Sequence, residues 1–433
     1  MAKGIDAALT AYNALWKCAS PMLRLNHRLR EGWDQRTLTG GLPARADLWV
    51  QAASGGEAYL AWEVLKDMVP PDGGPLRVLA TSATRQGFET LCRAADDING
   101  RKQGLAVQPW YFPLDAPSIM RRTVAHVRPR CALILETELW PGFLDACRRQ
   151  GTRVLLANGR MTARSLGGYL AWPGLFRALA PDRIMAVSEA DGHRFATLFG
   201  RDRVLVMPNI KFDRMTAPGP TGPTGPTGHD DNPLAGIIPE DSPLVVFGSV
   251  RKQELAEVAG LAAGLLRARP EAVIGLFPRH LHHIPLWSRA LDRAGLSCAE
   301  RSRLTAPVAP GSVVLWDTFG ELLPAYGLAR AAFVGGSLAP LGGQNFLEPI
   351  TRGVVPVIGP HWSNFAWVGR EIFDSGLAVR AADPVEALAA LLRLLDDTPS
   401  RDHVSARGAA YIKDRRGGAA AVRKQVADFL DKD

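Results

Sequence analysis

Carboxylates set at the ends of apolar runs are the first chemistry visible in this chain. SGGE at 54–57 follows an apolar run, so Glu57 enters a helix just beyond a strand. A carboxylate there acts as a general base, or it merely complements the helix dipole. ETELWP at 136–141 ends the apolar stretch CALIL and puts the pair Glu136 and Glu138 at a strand terminus. ANGRMTARS at 157–165 sets Arg160 and Arg164 beyond another strand, where a guanidinium can grip phosphate bidentately. KFD at 211–213 supplies Lys211, either a point charge at a site or a surface lysine. The block 316–365 is the densest: Gly335, Gly336, Gly342 and Gly343 allow backbone to approach a ligand, and Asn345 to Glu348 can open a helix. Free N–H groups at a helix start attract phosphate, and a carboxylate one turn in accepts ribose hydroxyls. The block therefore suits a sugar nucleotide; the plainer alternative is that its glycines only serve tight strand-to-helix turns.

These groups need strands to hold them. Strand-like runs at 48–52, 77–81, 132–135, 154–157 and 184–187 alternate with helical segments, which implies a parallel sheet covered on both faces. A second series at 244–247, 273–277, 313–316, 331–334 and 354–358 repeats the pattern. Between them GPTGPTGPTG at 219–228 forms neither helix nor sheet and reads as a linker, its three triplets being too few for a collagen triple helix. The expected architecture is two doubly wound domains, with ligands beyond the carboxyl ends of the strands, where the polar motifs of both halves fall.

With 433 residues the chain exceeds one ordinary core, and 47% hydrophobic with 22% charged residues is ordinary for a globular protein. No window approaches the ~18 consecutive apolar residues of a membrane span. Five scattered cysteines lack metal-ligand spacing and, being odd in number, argue against a disulfide framework and for a reducing compartment. The net charge of +8 favours an anionic partner, but the arginines stand singly without interleaved aromatics, so a nucleic-acid groove is the weakest choice. The first residues carry no signal peptide, since 5–18 contains Asp6 and Asn13. Ile5, Ala8, Leu9, Tyr12, Leu15 and Trp16 share one helical face, followed by Lys17, Arg24, Arg28 and Arg30. This face either lies on an anionic membrane or packs on the domain.

Taken together, SGGE, PLDAP at 113, ETELWP, ANGR with ARS, KFD, PRH at 278, GEL at 320, GGS with GGQNFLEP and GPHWSNF at 359 resemble the 3-deoxy-D-manno-octulosonate (Kdo) transferase family. They stand in that family's order over about residues 46–365. The resemblance implies an α/β, GT-B fold: two doubly wound Rossmann-like domains facing across a cleft. It implies a membrane-associating arm at 1–45, an acceptor domain at 46–213, a linker at 214–242, and a donor domain with the C-terminal helix at 243–433. It further implies Kdo transfer, with inversion, from CMP-Kdo to a lipid A precursor at the cytoplasmic face of the inner membrane. Glu57 would be the base, Glu136 and Lys211 would support the transition state, and Pro278, Arg279, Gly320, Glu321, Leu322, Asn345, Phe346, Leu347 and Glu348 would hold CMP. No cofactor is implied beyond the donor substrate, no metal, no nucleic-acid partner, and only peripheral contact with an anionic membrane.

The chain departs from the family pattern at Gly55, Arg251, Gln344 and Phe346, where the family has valine, histidine, histidine and proline; Arg251 can supply charge in place of the histidine. Rival readings are a GT-B transferase using a UDP-sugar and a non-catalytic descendant that binds sugar nucleotide or lipid. A hydrolase built on GGSLA, with Ser337 as nucleophile, lacks an acid in the expected order. The His280, His282 and His283 cluster lacks a carboxylate at ligand spacing and reads as a polar strand end.

Overall fold

The structure, a computed structural model, describes residues 2–70, 74–101, 104–215 and 232–431; the GPT repeat lies outside the described residues. The chain divides into two compact units, Met1–Met215 with Arg415–Asp433, and Thr216–Asp414.

In the first unit seven strands, β1 (Leu48–Gln51), β2 (Leu76–Ser82), β3 (Leu105–Tyr111), β4 (Cys131–Leu135), β5 (Arg153–Gly159), β6 (Arg183–Ala186) and β7 (Val204–Val206), form one sheet in the order β3-β2-β1-β4-β5-β6-β7. Every pairing is parallel, with Leu48 opposite Cys131 and Gln51 opposite Ile134. Central strands are apolar on both faces: Leu48 and Val50 enter one core cluster, Trp49 the other. Burial on both sides is what turns these strands into near-continuous apolar runs.

The second unit repeats the plan with β8 (Leu244–Val250), β9 (Val273–Pro278), β10 (Cys298–Glu300), β11 (Val313–Leu315), β12 (Ala331–Val334), β13 (Pro356–Ile358) and β14 (Val379–Arg380), in the order β10-β11-β9-β8-β12-β13-β14. Its core also has two faces, Val245 and Phe247 on one and Leu244 and Val246 on the other. All ten expected strands are present, with ends within three residues of those expected. The four unanticipated ones, β3, β7, β10 and β14, are the outer strands of the two sheets.

Both termini correct the sequence reading. The C-terminal helix Gly418–Leu430, expected in the donor domain, belongs to the first unit. Val422, Val426 and Phe429 enter the core cluster of that unit. Asp213 of KFD caps the helix, accepting from Gly417 N and Ala419 N at 2.6 Å each. An apolar helical stripe carries no address; the sheet with an uncovered face decides where it packs.

The N-terminal helix Ala2–Leu23 turns most of its expected membrane face inward: Leu9 is 1% exposed, Ala8 is buried and Ile5 packs on the core of the first unit. The polar residues that break its apolar character anchor it. Asn13 Oδ1 accepts from Ser118 N (2.9 Å), Asp6 pairs with Arg149 (2.6 Å), and Tyr12 donates its hydroxyl to Asp115 (3.0 Å). Leu15, Met22 and Leu25 stay exposed, at 67%, 74% and 86%. Among the described residues no helix is long and apolar enough to cross a membrane.

Leu9→Ala should therefore destabilise the first unit by about 2–4 kcal/mol in urea unfolding, the range for truncating a buried leucine. A change within error of zero would show that this helix does not contribute its packing to the folded unit.

Candidate active site

Strand order in the first sheet reverses between the neighbours β1 and β4. Loops leaving two such strands diverge and open a crevice at their carboxyl ends. SGGE leaves β1 there and ETELWP leaves β4.

Ser54 is the N-cap of the helix Gly55–Leu65. Glu57 N donates to Ser54 Oγ (3.4 Å), while Glu57 Oε1 accepts from Ser54 Oγ (2.8 Å) and Oε2 from Ala53 N (2.7 Å). SGGE is thus a capping box, and the helix-cap role weighed in the sequence is present. It does not exhaust the carboxylate. Each oxygen carries more than one lone pair, so the box orients Glu57 and leaves acceptor capacity for a substrate proton. Glu57 is only 8% exposed. Burial raises its pKa, Ser54 and Ala53 pull it back, Glu136 adds to the rise and Lys211 opposes it.

Glu136 takes a left-handed backbone, φ 57°, directly after β4, while its N–H continues the ladder to Ala157 O (3.0 Å). A non-glycine residue held there is costly and marks a position fixed by its surroundings. Lys211 Nζ pairs with Glu136 Oε1 at 2.8 Å, both side chains partly buried. The lysine is therefore a member of the first unit's site. Its placement comes from the ANGR motif: buried Asn158, itself at φ 55°, accepts from Ile210 N (2.9 Å), and Asn209 Oδ1 accepts from Lys211 N (3.0 Å). Thr137 Oγ1 in turn bonds Arg160 O, tying that motif to ETELWP. Arg164 lies exposed beyond it.

Two acids gain a role that the sequence reading did not give them. Glu138 is pushed up to about 7, by burial first and then by Glu57 and Glu136. The doubled acid in ETELWP was the available signal. Asp115 of PLDAP is buried and also pushed up to about 7 by burial, although it accepts from Gly142 N (2.9 Å), Phe143 N (2.7 Å) and Tyr12. It caps the helix Pro141–Gln150 and so fixes the loop that carries Glu136 and Glu138.

In the second unit the order reverses between β8 and β12; the GGS and GGQNFLEP block leaves β12 there, while PRH and GEL leave the carboxyl ends of β9 and β11. Glu348 is half-buried and its pKa is raised by desolvation, with Asn345 Nδ2 donating to its Oε1 (2.8 Å) and the charge of Arg279 opposing the rise. Glu321 is held by Arg301 (2.8 Å), Trp316 Nε1 and Thr318 Oγ1 (2.7 Å each). Gly320 precedes it at φ 88°. Phe346 and Leu347 turn their side chains into the core, Phe346 against Phe365 and Phe373, and buried Pro278 ends β9. Leu322 packs against the core as well. These four residues offer a ligand backbone rather than side chain. The helix opened near Asn345 spans only Leu347–Thr351, so its dipole is slight; Gly353, at φ 73°, stands just past its C-cap Arg352.

Ser337 is no nucleophile: its buried hydroxyl donates to Val334 O (2.6 Å) and accepts from Gly359 N (2.9 Å), stapling β12 to the next loop. His280, His282 and His283 lie with ring centroids 3.9–6.0 Å apart, yet among the described residues no group of histidine, cysteine and acids is placed to hold a metal ion.

A family model described as 3-Deoxy-D-manno-octulosonic-acid transferase (kdotransferase) matches residues 27–214. Over 396 residues the chain is 33% identical to a 3-deoxy-D-manno-octulosonic acid transferase of Bordetella pertussis, covering 90% of this chain and 88% of that one. A protein of the same name from Haemophilus influenzae is 26% identical over 400 residues, with the same coverages of 90% and 88%. Among solved structures, UDP-GlcNAc 2-epimerase of Neisseria meningitidis aligns with a TM-score of 0.55 at 14% identity, over 89% of this chain and all of its own. At that identity the likeness is one of fold alone. The paired doubly wound units are of the GT-B class.

A carboxyl with a native value near 7 keeps its proton folded after the unfolded chain has lost it, so stability falls as pH rises from 4.5 to about 7. Glu138→Gln removes this dependence. Its melting temperature relative to the parent should climb across that window and level off above it; a difference independent of pH would show that Glu138 ionises as an ordinary surface acid.

Proposed function

The chain belongs to the 3-deoxy-D-manno-octulosonic acid (Kdo) transferase family of glycosyltransferases, and from that premise we propose that it moves Kdo from CMP-Kdo to a hydroxyl of a lipid A precursor with inversion at the anomeric carbon. The observation that carries the chemistry is the buried, oriented carboxylate of Glu57 beside the Glu136–Lys211 pair.

An acceptor hydroxyl holds its proton at neutral pH. A carboxylate whose pKa is raised by burial is a stronger base than a solvated one, and Glu57 has that character. Glu57 takes the hydroxyl proton as the acceptor oxygen bonds to the anomeric carbon. The bond from that carbon to the phosphate oxygen breaks on the opposite side, its electron pair leaves with CMP, and the configuration inverts. Glu57 is then neutral and releases its proton to solvent before the next cycle. Lys211 places positive charge beside Glu136 and near Glu57, offsetting negative charge in a partly buried site. On the donor side, Glu348 is the acceptor proposed for the nucleoside hydroxyls, and Arg279, whose charge it feels, is proposed for the phosphate. A monophosphate leaving group requires no pyrophosphate-chelating metal, and none is proposed.

A lipid acceptor calls for contact with the inner membrane at its cytoplasmic face. Because Leu9 and Tyr12 are committed to the unit, the contact is proposed for the far end of the same helix, where Leu15, Met22 and Leu25 are exposed near Lys17 and Arg24. Apolar burial with about 1 kcal/mol per basic residue supports reversible attachment.

Glu57→Gln should lower transfer by about a hundredfold or more, the scale of general-base loss, while CMP binding by calorimetry stays within about twofold. Transfer within a few-fold of the parent would remove Glu57 as base, and CMP binding no tighter than UMP would favour the UDP-sugar reading. A Leu15→Ser, Met22→Ser, Leu25→Ser variant should sediment with anionic vesicles less than the parent does; equal sedimentation would place lipid contact elsewhere.

A further inference from the structure

β8 and β9 lie side by side, with Val250 opposite Pro278 and Arg279 N bonded to Val250 O (2.9 Å), so the residues that follow the two strands emerge together. After β8 come Arg251 and Lys252; after β9 come Arg279, His280, His282 and His283. The His280 imidazole is held below its ordinary pKa by burial and then by Arg251, Arg279, His282 and Lys252, every charged neighbour being basic. Among the described residues neither Arg251 nor Lys252 forms an ion pair. Arg279 has the charge of Glu348 nearby.

The second observation comes from the glycine turn after β12. Its amides would make an anion-binding nest, but Glu254 already stands there, accepting from Gly336 N. Glu254, buried and pushed up to about 7 by that burial, sits among the N–H groups of Gly336, Leu338, Arg251 and Ser337. Gly335 leaves no slack, since a Cβ there would lie 2.5 Å from Val250 Cα. An anion arriving at this edge of the sheet therefore meets a buried carboxyl in the glycine turn and basic side chains beside it.

We propose that Arg251 and Lys252, beside His280, form the subsite for the carboxylate of the donor's sugar, so that the enzyme selects a CMP-linked sugar acid over a CMP-linked neutral group. This rests on CMP-Kdo being the donor. The donor carries two negative charges, one on the phosphodiester and one on the sugar carboxylate. Arg279, beside Glu348, takes the first with the nucleotide. Arg251 takes the second in a fork that a carboxylate matches oxygen for nitrogen, with Lys252 as a point charge at its side.

The test uses the full chain, with CMP-Kdo as donor and CMP methyl ester, which keeps the phosphodiester charge and lacks the carboxylate, as a competing ligand. In an Arg251→Ala, Lys252→Ala variant the KM for CMP-Kdo should rise at least about tenfold, as expected for losing a charge-assisted contact, while the inhibition constant of CMP methyl ester stays within about threefold. Arg251→Lys should recover part of the loss, and an unchanged melting temperature shows that the variants fold. Equal weakening of both ligands would make the cluster a phosphate clamp and overturn the proposal, as would no change in either. Failure of the parent protein to bind CMP methyl ester or to use CMP-Kdo would instead remove the donor reading, and the carboxylate subsite with it.

Discussion

A parallel sheet sends the carboxyl end of every strand to the same edge, and where strand order reverses, the helices after two neighbouring strands leave toward opposite faces. Each unit of this protein has one such reversal, between β1 and β4 and between β8 and β12. The positions of Glu57, Glu136 and Arg251 follow from it. Glu57 and Glu136 leave adjacent strands at the first reversal, and Arg251 and the GGS turn leave adjacent strands at the second. Residues some eighty positions apart in each unit become neighbours without any long loop.

At the first reversal the difficulty is electrostatic. Glu57, Glu136 and Glu138 share a partly buried space in which each raises the cost of ionising another. One lysine offsets this, and its position is over-determined: Asn158 and Asn209 hold the turn that carries Lys211, and Asn158 and Glu136 both accept left-handed backbone. Backbone strain at the ends of β4 and β5 therefore accompanies the arrangement of charge. The second reversal shows the opposite balance. There a carboxylate, Glu254, is already buried in the glycine turn, and the cations stand outside it.

Two acids and an amide also do quiet structural work. Asp115 caps the helix after ETELWP and receives Tyr12, Asp213 caps the C-terminal helix, and Asn13 caps the helix Pro117–Val127. These side chains satisfy helix N–H groups that would otherwise be unpaired.

The sequence by itself determined the fold class, the central strands and the order of the motifs. A strand buried on both faces must be apolar at every position, and a capping box or a doubled acid needs only local spacing. Only the tertiary structure decided the rest. The outer strands β3, β7, β10 and β14 give no clear run: β3, β10 and β14 mix polar with apolar residues, and β7 is only three residues long. The apolar stripe of the first helix is equally suited to lipid and to protein, and the packing of Leu9 with the bond from Tyr12 to Asp115 settled it. The C-terminal helix was drawn to the first sheet by a cap on Asp213 more than two hundred residues earlier. Phe346 and Ser337 look available within their motifs, yet one lies in an aromatic core and the other is a staple between loops. Which way a side chain faces depends on partners distant in the chain, and local spacing contains no record of them.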